Sequence, residues 1–193
     1  TGNSTYLTHF AIVIGPGDRP IVMYALNSAS GSLQRYARCN DSACTAANVS
    51  SIGTNQIYYA NPLALRSDGR PAFIEAGLNN NYAVCDNADC TGLARFPIGI
   101  SGVVRSLVLH SDDRPAYESG TTGLASITVC DDATCSSAQQ RNVLTDPNPQ
   151  SGYQGSIALA SNGALLVAFE EQSLRDVVLA VPLPDALFAS GFE

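Results

Sequence analysis

Short runs of alternating apolar and polar residues extend along the whole chain, and most of them are bounded by Gly, Pro, Asn or Asp. Alternation with a period of two predicts β-strands, and the turn residues between the runs predict tight reversals. An all-β chain is therefore expected.

One unit of this pattern is written four times. It comprises an apolar strand, a tight turn with Arg-Pro in three copies, and a second apolar strand. The copies are AIVIGPGDRPIVMYA from Ala11, PLALRSDGRPAFIEA from Pro62, SLVLHSDDRPAYESG from Ser106 and SIALASNGALLVAFE from Ser156. The first three continue with a third strand, a Cys-x4-Cys pair and a short fourth strand. Repeats of about 45 to 50 residues are typical of one propeller blade with four strands.

These repeats predict a single β-propeller-like domain over residues 1–193, with four repeats that form about four blades of four short antiparallel strands. The units are expected at about 10–60, 61–104, 105–154 and 155–181. The fourth unit has only three strands of its own, because Pro182 and Pro184 remove ladder donors. Residues 182–193 are expected to form a C-terminal tail. An N-terminal strand at residues 4–9 is expected to complete the last blade, either within one chain or from a neighbouring copy. The aromatic residues on the second strands are expected to share one face and to fill the core between blades: Tyr24, Phe73, Tyr117 and Phe169.

Six cysteines stand in three pairs at equivalent repeat positions: Cys39 with Cys44, Cys85 with Cys90, and Cys130 with Cys135. An even count in a short, Gly-rich chain favours disulfides and an oxidising compartment. Zinc is the competing interpretation, but structural zinc needs four ligands that converge, and neither histidine accompanies a pair. We expect three local disulfides and no metal centre.

The loops inside these pairs carry acidic residues, which makes them candidate ligand or calcium sites: Asp41, Asp86, Asp89, Asp131 and Asp132. One four-residue loop cannot supply the six to eight oxygens that calcium takes. Solvated turn residues are the favoured interpretation.

The net charge of −7 leaves no basic patch for phosphates, so nucleic acid and anionic membranes are disfavoured partners. All ten basic residues are arginine, which excludes lysine nucleophiles. No apolar run approaches the ~20 residues needed to span a bilayer. The N-terminus has no charged or apolar leader, so a mature form is expected.

Catalytic motifs are also absent from the sequence. It contains no Gly-x-Ser-x-Gly elbow, no Walker loop and no dinucleotide-binding glycine motif. Glu75 and Glu118 follow their prolines by four and three residues, so they are expected on opposite faces rather than as a glycosidase pair. We expect no enzyme activity and no cofactor.

The order DG-x-P, strand, strand, Cys-x4-Cys resembles a repeat of secreted bacterial proteins of the β-propeller type, most of which have no assigned activity. The resemblance covers nearly the whole chain, although the fourth unit lacks Arg-Pro and the cysteines. The ending PDALFASGFE is similar to short F-x-x-GFE tails of exported proteins from certain Gram-negative bacteria. The resemblance implies a secreted, extracellular protein of such a bacterium and implies no chemistry.

Two hypotheses for the function follow. The first is a non-catalytic extracellular structural protein that assembles with copies of itself into a filament or surface layer, because an unpaired strand edge and an apolar tail both need a partner. The candidate self-association residues are Tyr6, Leu7, Leu187, Phe188 and Phe192. The alternative is an extracellular glycan-binding or adhesive β-propeller module that uses the acidic loops.

Overall fold

Four antiparallel β-sheets account for all the strands of the described residues, and these residues contain no helix. The computed structural model describes residues 6–28, 31–53, 62–75, 80–100, 102–121, 124–145, 155–171 and 176–183. The chain divides into two compact units, Thr1–Ser101 and Gly102–Glu193. Each unit contains two sheets, so the all-β prediction with four repeats is confirmed.

The first unit contains sheets 1 and 2, and in both of them each strand pairs with the next along the chain. Sheet 1 consists of β1 (Tyr6–Gly15), β2 (Arg19–Ser28), β3 (Gly31–Cys39) and β4 (Ala47–Gly53). Sheet 2 consists of β5 (Leu63–Leu65), β6 (Pro71–Glu75), β7 (Asn81–Cys85) and β8 (Leu93–Pro97).

The second unit contains sheets 3 and 4, with the same order of strands. Sheet 3 consists of β9 (Val103–Leu109), β10 (Pro115–Thr121), β11 (Leu124–Cys130) and β12 (Ala138–Thr145). Sheet 4 consists of β13 (Gly155–Leu159), β14 (Leu165–Glu171) and β15 (Asp176–Leu183).

The turn between the first two strands of each sheet explains the repeated Asp and Arg residues. In sheet 2 the Gly69 N–H donates to the Arg66 carbonyl and the Arg66 N–H to the Arg70 carbonyl, both at 2.9 Å. Gly69 has a φ of 79°, so the turn ends on a left-handed residue, as three-residue hairpin loops commonly do. The Asp68 carboxylate accepts the Arg70 backbone N–H (3.0 Å) and its Nε–H (2.7 Å). Partial burial raises the pKa of Asp68, but these Arg70 contacts outweigh it and hold that pKa below its usual value.

Within the first unit, one face of sheet 1 packs on one face of sheet 2. We call the former the back face of sheet 1 and the latter the front face of sheet 2. The back face of sheet 1 contributes Ala11, Val13, Ile21, Met23 and Tyr36; the front face of sheet 2 contributes Leu63, Leu65, Phe73, Ala83 and Cys85. Alternate residues of β2 therefore point toward sheet 2, and the residues between them point away from it.

The second unit repeats this arrangement with sheets 3 and 4. The back face of sheet 3 contributes Val108, Ala116, Ile127 and Val129; the front face of sheet 4 contributes Ile157, Leu159, Leu165, Val167 and Phe169. The predicted core aromatics follow this pattern, because Phe73, Tyr117 and Phe169 are buried. Tyr24 lies on the corresponding front face of sheet 1, where it is only half-buried.

Both ends of the described chain differ from the sequence prediction. Residues 4–9 were expected to complete sheet 4, but Tyr6–His9 belong to β1, where Tyr6, Leu7 and Thr8 pair with β2. A β-bulge after Thr8 lets this hairpin continue past the repeat. At the other end β15 runs through Pro182 to Leu183. Proline is tolerated there because β15 ends the order β13-β14-β15, and the missing N–H can face away from the ladder.

Candidate functional site

The three Cys-x4-Cys pairs form the predicted disulfides, Cys39–Cys44, Cys85–Cys90 and Cys130–Cys135. In each loop the second cysteine has a left-handed backbone, with φ of 53°, 50° and 57°. Its N–H donates to the carbonyl three residues earlier, at 3.1 to 3.2 Å. The disulfide therefore closes one tight turn at the end of the third strand in sheets 1, 2 and 3.

One acidic or amide side chain stabilises each of these loops from within. Asp41 accepts the backbone N–H (3.1 Å) and the hydroxyl of Thr45, and Asp132 accepts the N–H (2.7 Å) and hydroxyl (2.6 Å) of Thr134. Asn87 takes the same place in sheet 2 and accepts the Asp89 N–H (3.0 Å). The side-chain hydrogen bond from Thr45 lowers the pKa of Asp41 below its usual range. These groups act as turn acceptors for their own loops.

Asp89 has a different role, because it holds the loop of sheet 2 against sheet 1. Its carboxylate accepts Arg38 Nη1–H at 3.2 Å and its carbonyl accepts the Ser50 hydroxyl at 2.9 Å. Next to it, the Tyr36 hydroxyl donates to the Ala88 carbonyl at 2.6 Å. The back face of sheet 1 thus binds the disulfide loop of sheet 2 through polar contacts around a buried disulfide.

The other two acidic candidates lie at the loop surfaces. Asp131 accepts the Ser137 hydroxyl at 2.6 Å and the Gln139 amide at 3.4 Å. The exposed Asp86 carboxyl lies against Gly92, where a larger residue would displace it. Within the described ranges, no group of three or more His, Cys, Asp or Glu side chains is arranged to hold a metal ion.

The front face of sheet 1 is the largest apolar feature that the described side chains expose. Phe10 is 75% exposed, Ile12 59% and Ile14 60%, and all three lie on β1. A second row crosses the whole sheet, because Ile12 pairs with Val22, Val22 with Ala37, and Ala37 with the exposed Val49. Clusters of exposed apolar side chains of this kind mark interaction surfaces or aggregation sites.

The self-association candidates Leu187, Phe188 and Phe192 lie outside the described residues, as do the side chains of Tyr6 and Leu7. The sequence interpretation missed the front face of sheet 1, because its apolar residues match repeat positions that form core in the other sheets.

Two buried glutamates on the second strands have opposite surroundings. Glu75 lies on the front face of sheet 2, where Arg95 donates to its oxygens at 2.8 and 2.9 Å. Arg95 also donates to the Ile52 carbonyl of sheet 1 at 3.1 Å, so this ion pair joins the two sheets. Hydrogen bonding to Glu75 raises the pKa of Arg95.

Glu118 lies on the back face of sheet 3, and it is fully buried. Neither carboxylate oxygen has a hydrogen-bond partner, and the group lies so close to Gly155 of β13 that a Cβ there would overlap it. Burial raises the pKa of Glu118 to about 7, although the charge of Arg105 opposes this shift. The carboxyl group is therefore protonated over part of the physiological pH range, while the Glu75 carboxylate is paired with Arg95.

The described residues include no helix that is long and apolar enough to cross a membrane. Comparisons with protein families and with curated proteins find no match. Among solved structures, a bifunctional GH43-CE protein from Bacteroides eggerthii is similar, with a TM-score of 0.57 and 12% identity. The match covers 92% of this chain but only 24% of that protein. This similarity supports a β-propeller-like fold for the chain and carries no residue-level correspondence.

Removing disulfides separately should show that the loop of sheet 2 matters more than that of sheet 1. Replacing Cys39 and Cys44 by serine removes a ring of about six residues, worth about 2 kcal/mol of unfolding free energy. Cys85→Ser with Cys90→Ser should cost more, because these cysteines are buried and their loop is bound to sheet 1. Urea unfolding of the two double variants measures both losses. Equal losses would contradict the packing role of the second loop.

The raised pKa of Glu118 predicts that stability falls as pH rises from its unfolded value of 4.5 through about 7. The sign follows because the folded state holds the proton more tightly than the unfolded one. Above pH 7 the loss should approach about 3 kcal/mol. Glu118→Gln should therefore be more stable than the parent at pH 8, with a smaller difference at pH 5. Glu75→Gln is the matched control, which should lose stability at pH 8 because Arg95 loses its partner. Thermal unfolding at both pH values tests this, and a Glu118→Gln variant that is destabilised equally at both would refute it.

Proposed function

We propose that the chain is a non-catalytic, exported structural module that associates with copies of itself through the front face of sheet 1. The exposed row of Phe10, Ile12 and Ile14 carries the proposal. Burying one such side chain is worth about 1.5 to 3 kcal/mol, so an uncovered row represents several kcal/mol available for association.

Export is supported by the three disulfides, which persist in oxidising compartments and are rare in the cytosol. A structural rather than catalytic role is supported by how the polar groups are used. The carboxylates of Asp41, Asp89 and Asp132 bind groups of the protein itself. Glu118 is closed off from solvent.

The choice of a second copy as the partner rests on the charge and composition of the exposed face. Most of its residues are aliphatic or aromatic, and the row of cross-strand neighbours that begins with Phe10 and Tyr24 ends in Arg35 and Ser51. A flat apolar surface on a sheet fits another sheet face, and the chain itself offers such faces. Glycans and nucleic acids are bound through many polar groups, and this face carries few of them.

Replacing Ile12 by glutamate should abolish self-association. The charge would have to be buried without a partner, so association should weaken at least about tenfold. Sedimentation velocity over a concentration series measures the mass, with Ser111→Glu in the exposed turn of sheet 3 as a control that should associate like the parent. A parent protein that stays at 20.2 kDa at every concentration, or a variant that associates normally, would refute the proposal.

The alternative is an extracellular glycan-binding or adhesive module. The structural similarity to a bifunctional GH43-CE protein favours it, because a propeller fold is compatible with carbohydrate binding. The exposed Asp86 at the loop of sheet 2 is the best-placed polar candidate. A glycan array with and without calcium tests this function: binding that is lost in Asp86→Asn would support it, and an empty array would exclude it.

A further inference from the structure

The two units pack their sheets by one common rule. In the first unit the back face of sheet 1 covers the front face of sheet 2, and in the second unit the back face of sheet 3 covers the front face of sheet 4. Each pair thus joins a back face to the front face of the sheet that follows in the chain. Among the faces that belong to neither pair, the front face of sheet 1 and the back face of sheet 4 carry exposed side chains.

Equivalent repeat positions show what the front face of sheet 1 lacks. Ile12 corresponds to Leu63 of sheet 2, and the two are 59% and 8% exposed. Val22 corresponds to Phe73, which is fully buried, whereas Val22 is only half-buried. Apolar residues at the same repeat positions are core in sheet 2, where a back face covers them. The front face of sheet 1 therefore has the composition of a surface that receives a back face.

The disulfide loops give a second, independent indication. Cys90 of the sheet 2 loop is 1% exposed, because sheet 1 binds that loop through Tyr36 and Arg38. Cys44, at the equivalent position of the sheet 1 loop, is exposed. Among the described residues, the disulfide loop and the front face of sheet 1 thus both lack the covering back face that their equivalents in sheet 2 have.

Sheet 4 supplies a complementary surface on its back face. This face carries Ser156, Ala158, Leu166 and Ala168, which correspond by repeat position to the packing residues Ala11, Val13, Ile21 and Met23 of sheet 1. Ser156 and Ala158 are exposed, and Leu166 and Ala168 are half-buried. Two of these side chains, Ala158 and Ala168, are smaller than their counterparts Val13 and Met23, which leaves room for the bulky side chains of a facing sheet.

We infer that the front face of sheet 1 binds the back face of sheet 4 of a second copy, so that copies join head to tail. This rests on the proposed function and adds to it the partner surface. Such a contact is heterologous, because each copy binds through one surface and leaves a different surface free for the next copy. Assembly therefore continues into open filaments unless the copies close into a ring. A front-to-front dimer is the competing arrangement, but it would set bulky rows against each other and leave the back face of sheet 4 uncovered.

Two complementary blocked variants distinguish these arrangements. Ile12→Glu blocks the front face of sheet 1, and Ala158→Glu blocks the back face of sheet 4 at an exposed position that the fold tolerates. Head-to-tail contact predicts that each variant alone is monomeric. It also predicts that an equimolar mixture forms a dimer of twice the monomer mass and nothing larger, because the front face of the Ala158→Glu copy and the back face of the Ile12→Glu copy remain free to pair.

Mass photometry or sedimentation velocity of each variant and of the mixture provides the readout, with circular dichroism to confirm folding. Ala168→Glu is a second back-face variant that should behave like Ala158→Glu, and Ser111→Glu is the control that should still form filaments. An Ala158→Glu protein that still associates, or a mixture that stays monomeric, overturns the head-to-tail contact. If Ala158→Glu alone associates while Ile12→Glu is monomeric, self-association through sheet 1 stands and only its partner surface is wrong. If Ile12→Glu also associates, or if the parent is monomeric, the proposed function itself fails.

Discussion

The structure depends on one kind of contact, the packing of the back face of one small sheet on the front face of the next. A sheet of three or four short strands cannot bury its apolar residues alone, because alternate side chains leave the sheet on opposite sides. In the first unit this contact combines the buried row of Ile21 and Met23 with the polar contacts of Tyr36 and Arg38 to the neighbouring disulfide loop. The disulfide keeps that loop in one shape, so the sheet that binds it meets a preformed surface. The front face of sheet 1 is a place where, among the described residues, no such contact is made. Glu75 and Glu118 are places where the contact contains a carboxyl group.

The two buried glutamates show how such a contact accommodates charge. Glu75 is paired by Arg95, which also binds a carbonyl of the neighbouring sheet, so removing either partner leaves an uncompensated group inside the contact. The Glu118 carboxyl oxygens have no hydrogen-bond partner. Burial therefore favours the protonated, neutral form of this group. The sheet contact of the first unit therefore contains an ion pair, whereas that of the second unit becomes weaker as the pH rises from 4.5 toward about 7.

Much of the fold could be predicted from the sequence, because the same pattern of strands and turns occurs in several repeats and each copy supports the same assignment. The strands, the tight turns at Asp68-Gly69 and the three disulfides follow from local spacing, and the opposite faces of Glu75 and Glu118 follow from the period of two. The course of Tyr6–His9 could not be predicted, since a strand can extend a hairpin or complete another sheet with the same local pattern. The exposure of Ile12 could not be predicted either. Its residue type fits a core position, and no local pattern encodes whether another sheet covers it.

If the front face of sheet 1 is a packing surface that another copy covers, its exposure depends on protein concentration. Covalent footprinting of apolar side chains over a range of protein concentrations tests this directly, because it reports the exposure of each residue in solution. Phe10, Ile12 and Val49 should be labelled in dilute solution and become protected as concentration rises, whereas Leu63 and Phe73 should stay protected throughout. Labelling of Phe10 and Ile12 that does not change with concentration, whether strong or absent, would contradict the account.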